Sequence, residues 1–454
     1  MAKVTPPLVS GALPFLGHVL DFRSDRTALL RRGYQEHGPI FALDLAGQKT
    51  AILIGPTFHR RFFQETDKSL SMDKPYRFMQ AIFGDVAFLA SHETYLRHRP
   101  VLHAPFKRQK MVRYIEIMQR EVQRWLDDLG DSGEFEINAE LGRLVQNVAG
   151  YALMGKEFQQ SVGAEFWSLY SVLGKALDPI IPPNWPLPKF IRRDRAKERM
   201  VAILRPVIAE RRRHPERYDD FLQDIIDTPD AEGNKPDDDL VIGLILALNF
   251  AGHETTAGQA AWTIIQILQH PSYCQLVESE VAEKAPPGTT LNQALLNRLE
   301  HVIWAVRETE RTQPSADMQI RYVEEDLDVD EHVIPAGWLV QTAPNVAHRL
   351  PELFTAPHQF DPLRFAPDRQ EDRQDRFALI GFGGGMHKCT GMNFANNEMA
   401  VITTLLLQQY DLQLMTTETD VEYGLGANRP TETWVRYQRT PVTERVAHGV
   451  SHPR

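Results

Sequence analysis

The stretch Leu240 to Gln269 constrains the fold most. It is the longest helical pattern in the chain and spans about 45 Å at about 1.5 Å per residue. Asp237, Asp238 and Asp239 fall at its start, where the helix dipole favours negative charge, and Pro271 ends it. Leu240 to Ala251 is apolar almost throughout, which predicts burial on all sides rather than on one face. The run is too short to span a bilayer. The middle of the helix, Ala251-Gly252-His253-Glu254-Thr255-Thr256, breaks the pattern. A mid-helix Gly costs about 1 kcal/mol relative to Ala, and β-branched Thr is also a poor helix former. A charged side chain in a buried helix needs a reason. Gly252 lets a flat group approach. The Thr255 hydroxyl can satisfy the local backbone ladder, or disrupt it and open a widened turn. An acid beside an alcohol suits a proton relay.

A second stretch, Phe382 to Gly391, is a glycine-rich loop with one cysteine that runs into an apolar helix from Met392 to Leu407. Glycines let the backbone take positive φ and pass close to a flat ligand. A lone thiolate on such a loop suits a soft axial ligand to iron. The helix that starts after Cys389 favours negative charge on its sulfur. The chain holds only two cysteines, Cys274 and Cys389, so no disulfide framework is expected and a reducing cytosol fits. The net charge of −10 argues against nucleic acid as a partner. Met1 to Pro7 shows no signal-peptide core and no anchor helix.

The loop matches F-x-x-G-x-(basic)-x-C-x-G and resembles the haem-binding loop of the cytochrome P-450 superfamily. Ala251-Gly252-x-Glu254-Thr255 resembles the oxygen-activating site of the same family. The resemblance implies a mainly α fold with a small β-rich part, as one domain over residues 1–454, with 39–55 and 317–341 mainly β. It implies haem b as cofactor, Cys389 as the axial iron ligand, and Glu254 and Thr255 as catalytic. Tyr95, Arg99, Arg321, Phe382, His387 and Gly391 would bind the cofactor, with His387, Arg99, Tyr95 and Arg321 reaching propionates. Glu308, Arg311 and Arg364 would form a structural ion cluster; Glu308 and Arg311 stand i, i+3 on one helix face. Most of the family has Arg in place of His387, whereas the sterol 14α-demethylase branch has His there.

Tyr76, Phe83 and Phe88 lie in a crowded apolar stretch, 75–90, that is similar to the loop above the haem in sterol 14α-demethylases. With Ala251 and Met318 they would line a substrate pocket. That branch usually has His where Glu254 stands. The implied activity is a haem–thiolate monooxygenase that inserts one oxygen atom from dioxygen into a large apolar substrate: a sterol, terpenoid or fatty acid. A sterol 14α-demethylase, a peroxygenase and a non-catalytic haem sensor are the alternatives. No flavin or nicotinamide-binding segment is visible, and no G-x-G-x-x-G follows a strand. Electrons are therefore expected from a ferredoxin or flavodoxin with its NAD(P)H-dependent reductase, in the cytoplasm, with no transmembrane anchor.

Elsewhere, the pattern predicts a helix from Arg26 to His37, a hairpin of Phe41 to Leu45 and Lys49 to Ile54, and a helix from Pro56 to Glu65. Residues 112–230 read as a series of helices, broken by the five prolines of 178–188. Residues 291–312 read as one helix. Asp317 to Val323, Leu327 to Val329, Trp338 to Gln341 and Tyr410 to Leu414 read as strands. Arg97, Lys107, Arg108, Lys110 and Arg113 form a basic run in an acidic protein, suited to an acidic electron donor.

Overall fold

The computed structural model describes residues 3–424 and 427–440; residues 1–2, 425–426 and 441–454 of the expected domain lie outside the described residues. Its centre is the helix Asp238–Gln269. The Asp237 carboxylate caps it, accepting the Leu240 N–H at 2.8 Å. Val241 to Ala247 are buried, as the apolar run predicts. This helix packs on Ile137–Ala149, Glu300–Thr312 and Met392–Gln409. Among the described residues it is the one helix long and apolar enough to cross a membrane by length and composition, yet 56% of its most apolar window is buried inside the protein. Pro271 ends it and also opens the next helix, Pro271–Lys284, because proline at the first helical position gives up an N–H that has no partner there anyway.

Among the described residues the strands, in chain order, are β1 Ile40–Leu45, β2 Gln48–Leu53, β3 Leu70–Ser71, β4 Ser132–Glu136, β5 Gln319–Val323, β6 Leu327–Val329, β7 His332–Ile334, β8 Leu339–Thr342, β9 Tyr410–Leu414, β10 Val421–Glu422, β11 Arg429–Pro430 and β12 Trp434–Arg439. The main sheet has the order β1-β2-β8-β5-β3. β1 and β2 are the expected hairpin, with Leu45 opposite Gln48. β2 pairs with β8 in parallel, and β5 returns antiparallel to β8. The sheet thus carries β5, with Met318 and Arg321, from the far half of the chain to the N-terminal hairpin. A second sheet, β4-β12-β9, ties the C-terminal strands to the helical body.

The helix expected from Arg26 to His37 is present: Asp25 has non-helical geometry and its carboxylate accepts the Ala28 N–H at 2.9 Å, which starts this segment, and a short helical stretch from Val19 precedes it. Two expectations need correction. Residues 291–312 form two helices, Gln293–Leu296 and Glu300–Thr312. The chain breaks at Asn297 to Leu299, where Leu299 takes ψ 71° and buries its side chain. β4 lies within the stretch read as helices only. Its Ser132-Gly133-Glu134 sequence has little strand character, and its pairing with β12, about three hundred residues away, holds it in place.

Candidate functional site

The cysteine loop is held by buried side chains that account for its backbone groups. His59 Nε2 accepts the Gly55 N–H at 3.3 Å, and its Nδ1–H donates to Phe377 O at 3.2 Å. His348 Nε2 accepts the Ile380 N–H at 2.9 Å, and its Nδ1–H donates to Arg311 O at 3.3 Å. Gln319 Nε2 donates to Ile380 O at 2.7 Å. Within the loop, Gly383 N–H donates to Ile380 O and Cys389 N–H donates to Phe382 O at 2.9 Å. Gly383 and Gly385 have φ 72° and 66°, the left-handed region that favours glycine. A Cβ on Gly384 would lie 2.8 Å from the Phe63 ring.

The Cys389 side chain is exposed. Burial pushes its thiol up. Hydrogen bonds from the Gly391 and Met392 N–H groups, at the start of the Met392–Gln409 helix, and the Lys388 ammonium pull it down. Two N–H groups at a helix start are suited to hold a thiolate. Phe382 is partly buried against the main core. Beside the sulfur, the position of a Cβ on Gly391 lies 3.5 Å from Phe106 and 3.9 Å from Sγ.

Next to the loop, basic side chains gather around the Asp67 carboxylate. His387 Nε2 lies 2.6 Å and His92 Nδ1 3.1 Å from Asp67 Oδ2. Burial acts to raise the Asp67 carboxyl, but the His387 hydrogen bond and the His387, His92 and Arg321 charges outweigh it and hold the group below its usual range. The Tyr95 ring lies on the His387 ring with centroids 4.3 Å apart, its hydroxyl donates to Met386 O at 3.2 Å, and it also bonds the exposed Arg99. Arg321 is buried and donates to Thr66 Oγ1 and Ile320 O. Among the described residues neither Arg99 nor Arg321 has an ion-pair partner within 4 Å. A buried guanidinium without a carboxylate is costly, so the cluster has room for further anionic groups.

The central helix is open where its sequence breaks the apolar pattern. Ala251, Gly252 and Glu254 are exposed between buried turns, and the space a Cβ on Gly252 would occupy is empty to 4 Å. Of the two alternatives for Thr255 the structure shows the first: its hydroxyl donates to Ala251 O at 2.6 Å and the helix runs through without a widened turn. Ser315 Oγ donates to Thr255 O at 3.0 Å. Glu254 lies in electrostatic reach of Tyr170, His253 and Arg429. The 75–90 stretch folds into short turns. The Tyr76 and Phe88 rings meet edge to face at 5.5 Å, and the Tyr76 hydroxyl accepts the Ile320 N–H at 3.4 Å. Phe83 is buried and its ring lies 5.3 Å from Phe250, beside Ala251. Met318 is partly exposed just before β5.

Glu308, Arg311 and Arg364 are brought together with side chains wholly buried. Arg311 grips Glu308 through Nε and Nη2 at 2.8 and 2.7 Å, and Arg364 Nε lies 3.0 Å from it. The basic run is not brought together as one free face. Lys110 and Arg113 are paired with Asp219 and Asp224 across the fold, leaving Lys107 and Arg108 exposed. Sequence reasoning missed His59, His348, Asp67 and Gln319, because none stands in a local pattern.

A thiol held at a helix start, an open glycine on the helix that packs against that helix, and two arginines without carboxylates together fit an iron macrocycle bearing two carboxylates.

Comparison with known proteins agrees. The family model for Cytochrome P450 matches residues 6–430. The sterol 14alpha-demethylase of Mycobacterium tuberculosis (strain H37Rv) is 31% identical over 422 residues, 91% of this chain and 93% of that protein. The human lanosterol 14-alpha demethylase is 28% identical over 445 residues, 96% of this chain and 87% of that protein. The structure of a cyanobacterial CYP120A1 with retinoic acid bound superposes with a TM-score of 0.86 at 25% identity, covering 97% of this chain and all of that one.

The two loop-holding histidines make the site acid-sensitive. Burial pulls His59 down to about 4 and His348 well below its usual value. The unfolded chain takes up these protons below about pH 6.5 while the folded state refuses them, so stability is full above 6.5 and falls as pH drops toward 4. For His59 alone the loss is on the order of 3 kcal/mol. Urea unfolding at pH 5 and pH 7.5 should show a smaller stability difference in His59→Gln than in the wild type.

Proposed function

The chain belongs to the cytochrome P450 family and is a haem b monooxygenase, and from that premise we propose that Cys389 is its axial thiolate and that Glu254 and Thr255 supply its protons. The observation that carries this reading is the Cys389 thiol, open on one side and met by the Gly391 and Met392 N–H groups at the start of a helix. When bound, the haem would supply the oxygen-activating chemistry, and Cys389 would hold its iron as an electron-rich thiolate. The chain's own residues hold, orient and protonate.

Arg99 and Arg321, which have no carboxylate within 4 Å among the described residues, would take the haem propionates, with Tyr95 and His387 beside them. Phe382 would pack near the sulfur, and Gly252 would leave room above the macrocycle. Thr255 Oγ1 keeps its proton on Ala251 O, so its lone pairs are free to accept one before it passes its own on. Glu254 and Thr255 are neighbours on the helix and point to different sides. A proton passes between them through water rather than by direct contact. Tyr76, Phe83, Phe88, Ala251 and Met318 would form the apolar wall that seats a large apolar substrate.

Electrons come from a separate protein in this reading, a ferredoxin or flavodoxin with its reductase, working in the cytoplasm. The exposed Lys107 and Arg108 suit an acidic donor. A sterol is the second substrate reading, favoured by the named relatives and by His387; Glu254, where that branch usually has His, weighs against it. Incubation with 14α-methylated sterols decides it: the reading requires a product that has lost the 14α-methyl group, and an unchanged sterol rejects it.

Cys389→Ser should abolish the red-shifted Soret band of the reduced carbonyl complex. A variant that keeps both this band and turnover removes Cys389 from the iron. Thr255→Ala should leave haem and substrate binding nearly intact and cost only about 1–2 kcal/mol of folding stability. In a ferredoxin-driven assay it should still consume dioxygen, with more released as peroxide and less product per electron. Full coupling in Thr255→Ala would leave the pair without a role in proton delivery.

A further inference from the structure

The helix Glu300–Thr312 carries a second acid, Glu310, between the two members of the Glu308–Arg311 pair. On a helix, position 310 is turned away from 308 and 311, so it faces a different part of the fold. The structure directs it to the cysteine loop. The Gly381 and Phe382 N–H groups donate to its carboxylate. A Cβ on Gly381 would lie 2.6 Å from Glu310 Cγ and 2.7 Å from Oε1, so only glycine lets the loop backbone come this close. Phe382, which donates to Glu310 through its N–H, accepts the Cys389 N–H on its carbonyl at 2.9 Å. One residue, Phe382, and two hydrogen bonds therefore join the acid to the cysteine. The Glu310 charge also reaches the sulfur, acting to disfavour release of its proton.

We propose that Glu310 is a positioning residue for the axial thiolate: it pins the Gly381–Phe382 backbone behind Cys389 and sets a negative charge within reach of the sulfur, making it a stronger donor and lowering the reduction potential of the iron. The proposal rests on Cys389 being the ligand. Groups one shell out from a metal ligand fix its orientation and tune its basicity, and a carboxylate near a thiolate raises electron density where a lysine would lower it. Arg307 on the same helix and Lys388 on the loop are the charged groups that face Glu310. Arg307 is itself engaged with Asp372. Burial pushes the Glu310 carboxyl up to about 7, so it is mainly charged at pH 8.

The test uses the haem-loaded full chain at pH 8. The ferric/ferrous equilibrium, a one-electron couple, is titrated against redox mediators, and the carbonyl spectrum of the reduced protein is recorded on the same sample. Glu310→Gln should keep the thiolate-type Soret band and shift the ferrous/ferric ratio about tenfold toward ferrous at a fixed mediator potential, about 59 mV for one electron. Glu310→Asp, whose shorter arm draws the charge back, should shift it in the same direction by less. Loss of the band in the Gln variant with its retention in the Asp variant also supports the proposal, as failure of the pinned loop. Either variant keeping the band with the wild-type potential overturns it. If the wild type itself lacks the band, the ligand assignment falls and the proposal with it; if the wild type has it and the variants share its potential, only the role of Glu310 falls.

Discussion

Glu308 is the point on which the cysteine side of the fold depends. Its carboxylate is fully buried between the guanidiniums of Arg311 and Arg364. Removing one partner of such a buried pair costs about 3–5 kcal/mol, because the charge left behind has no water to solvate it. The cluster reaches well beyond three side chains. Arg311 also donates to the carbonyls of His348, Pro357 and Gln359, and Arg364 to that of Thr355 and to the Glu371 carboxylate. An irregular segment with few regular backbone bonds of its own is therefore fastened to one helix. His348 then passes the order on, since its ring bridges Arg311 O and the Ile380 N–H. From Ile380 the loop closes on itself up to the Cys389 N–H.

The site is a contrast between that rigid side and an opening opposite. On the rigid side, the Phe377, Ile380 and Phe382 carbonyls and the Gly381 and Phe382 N–H groups meet fixed polar partners. On the other, a helix that is otherwise a core element leaves Ala251, Gly252 and Glu254 uncovered. A packed protein keeps such a gap only where something else fills it. Arg99 and Arg321, with no carboxylate within 4 Å among the described residues, tell the same story in charge, near the Asp67 carboxylate.

Features encoded by neighbouring residues were legible. The central helix, the β1–β2 hairpin, the Pro56–Glu65 helix and the Tyr410–Leu414 strand follow local rules of periodicity, capping and turn chemistry. The cysteine loop announces itself because glycines, a basic residue and a thiol stand at fixed short spacing. The Glu308–Arg311 pair was readable as i, i+3 geometry. Its third member, Arg364, stood out only by resemblance, and the cluster was then found closed. By contrast β4 could not be read, since its own residues favour a turn and its partner β12 comes about three hundred residues later.

The sequence by itself determined the chemistry: one thiol on a glycine loop, an acid and an alcohol in the middle of a buried helix, and a mainly helical frame. Each is written in side chains a few residues apart, where backbone geometry alone fixes who meets whom. Tertiary structure decided the support and the charge balance. It decided that His59 and His348 are neutral props for the loop, and that Asp67 gathers His387, His92 and Arg321. It also decided that Lys110 and Arg113 are spent on Asp219 and Asp224, and that Glu310 turns toward the cysteine rather than to solvent. These are meetings of single residues from distant segments. A lone histidine or glutamate has the same local sequence whether it is solvated or buried, and only the folded chain brings its partner and strips away its water.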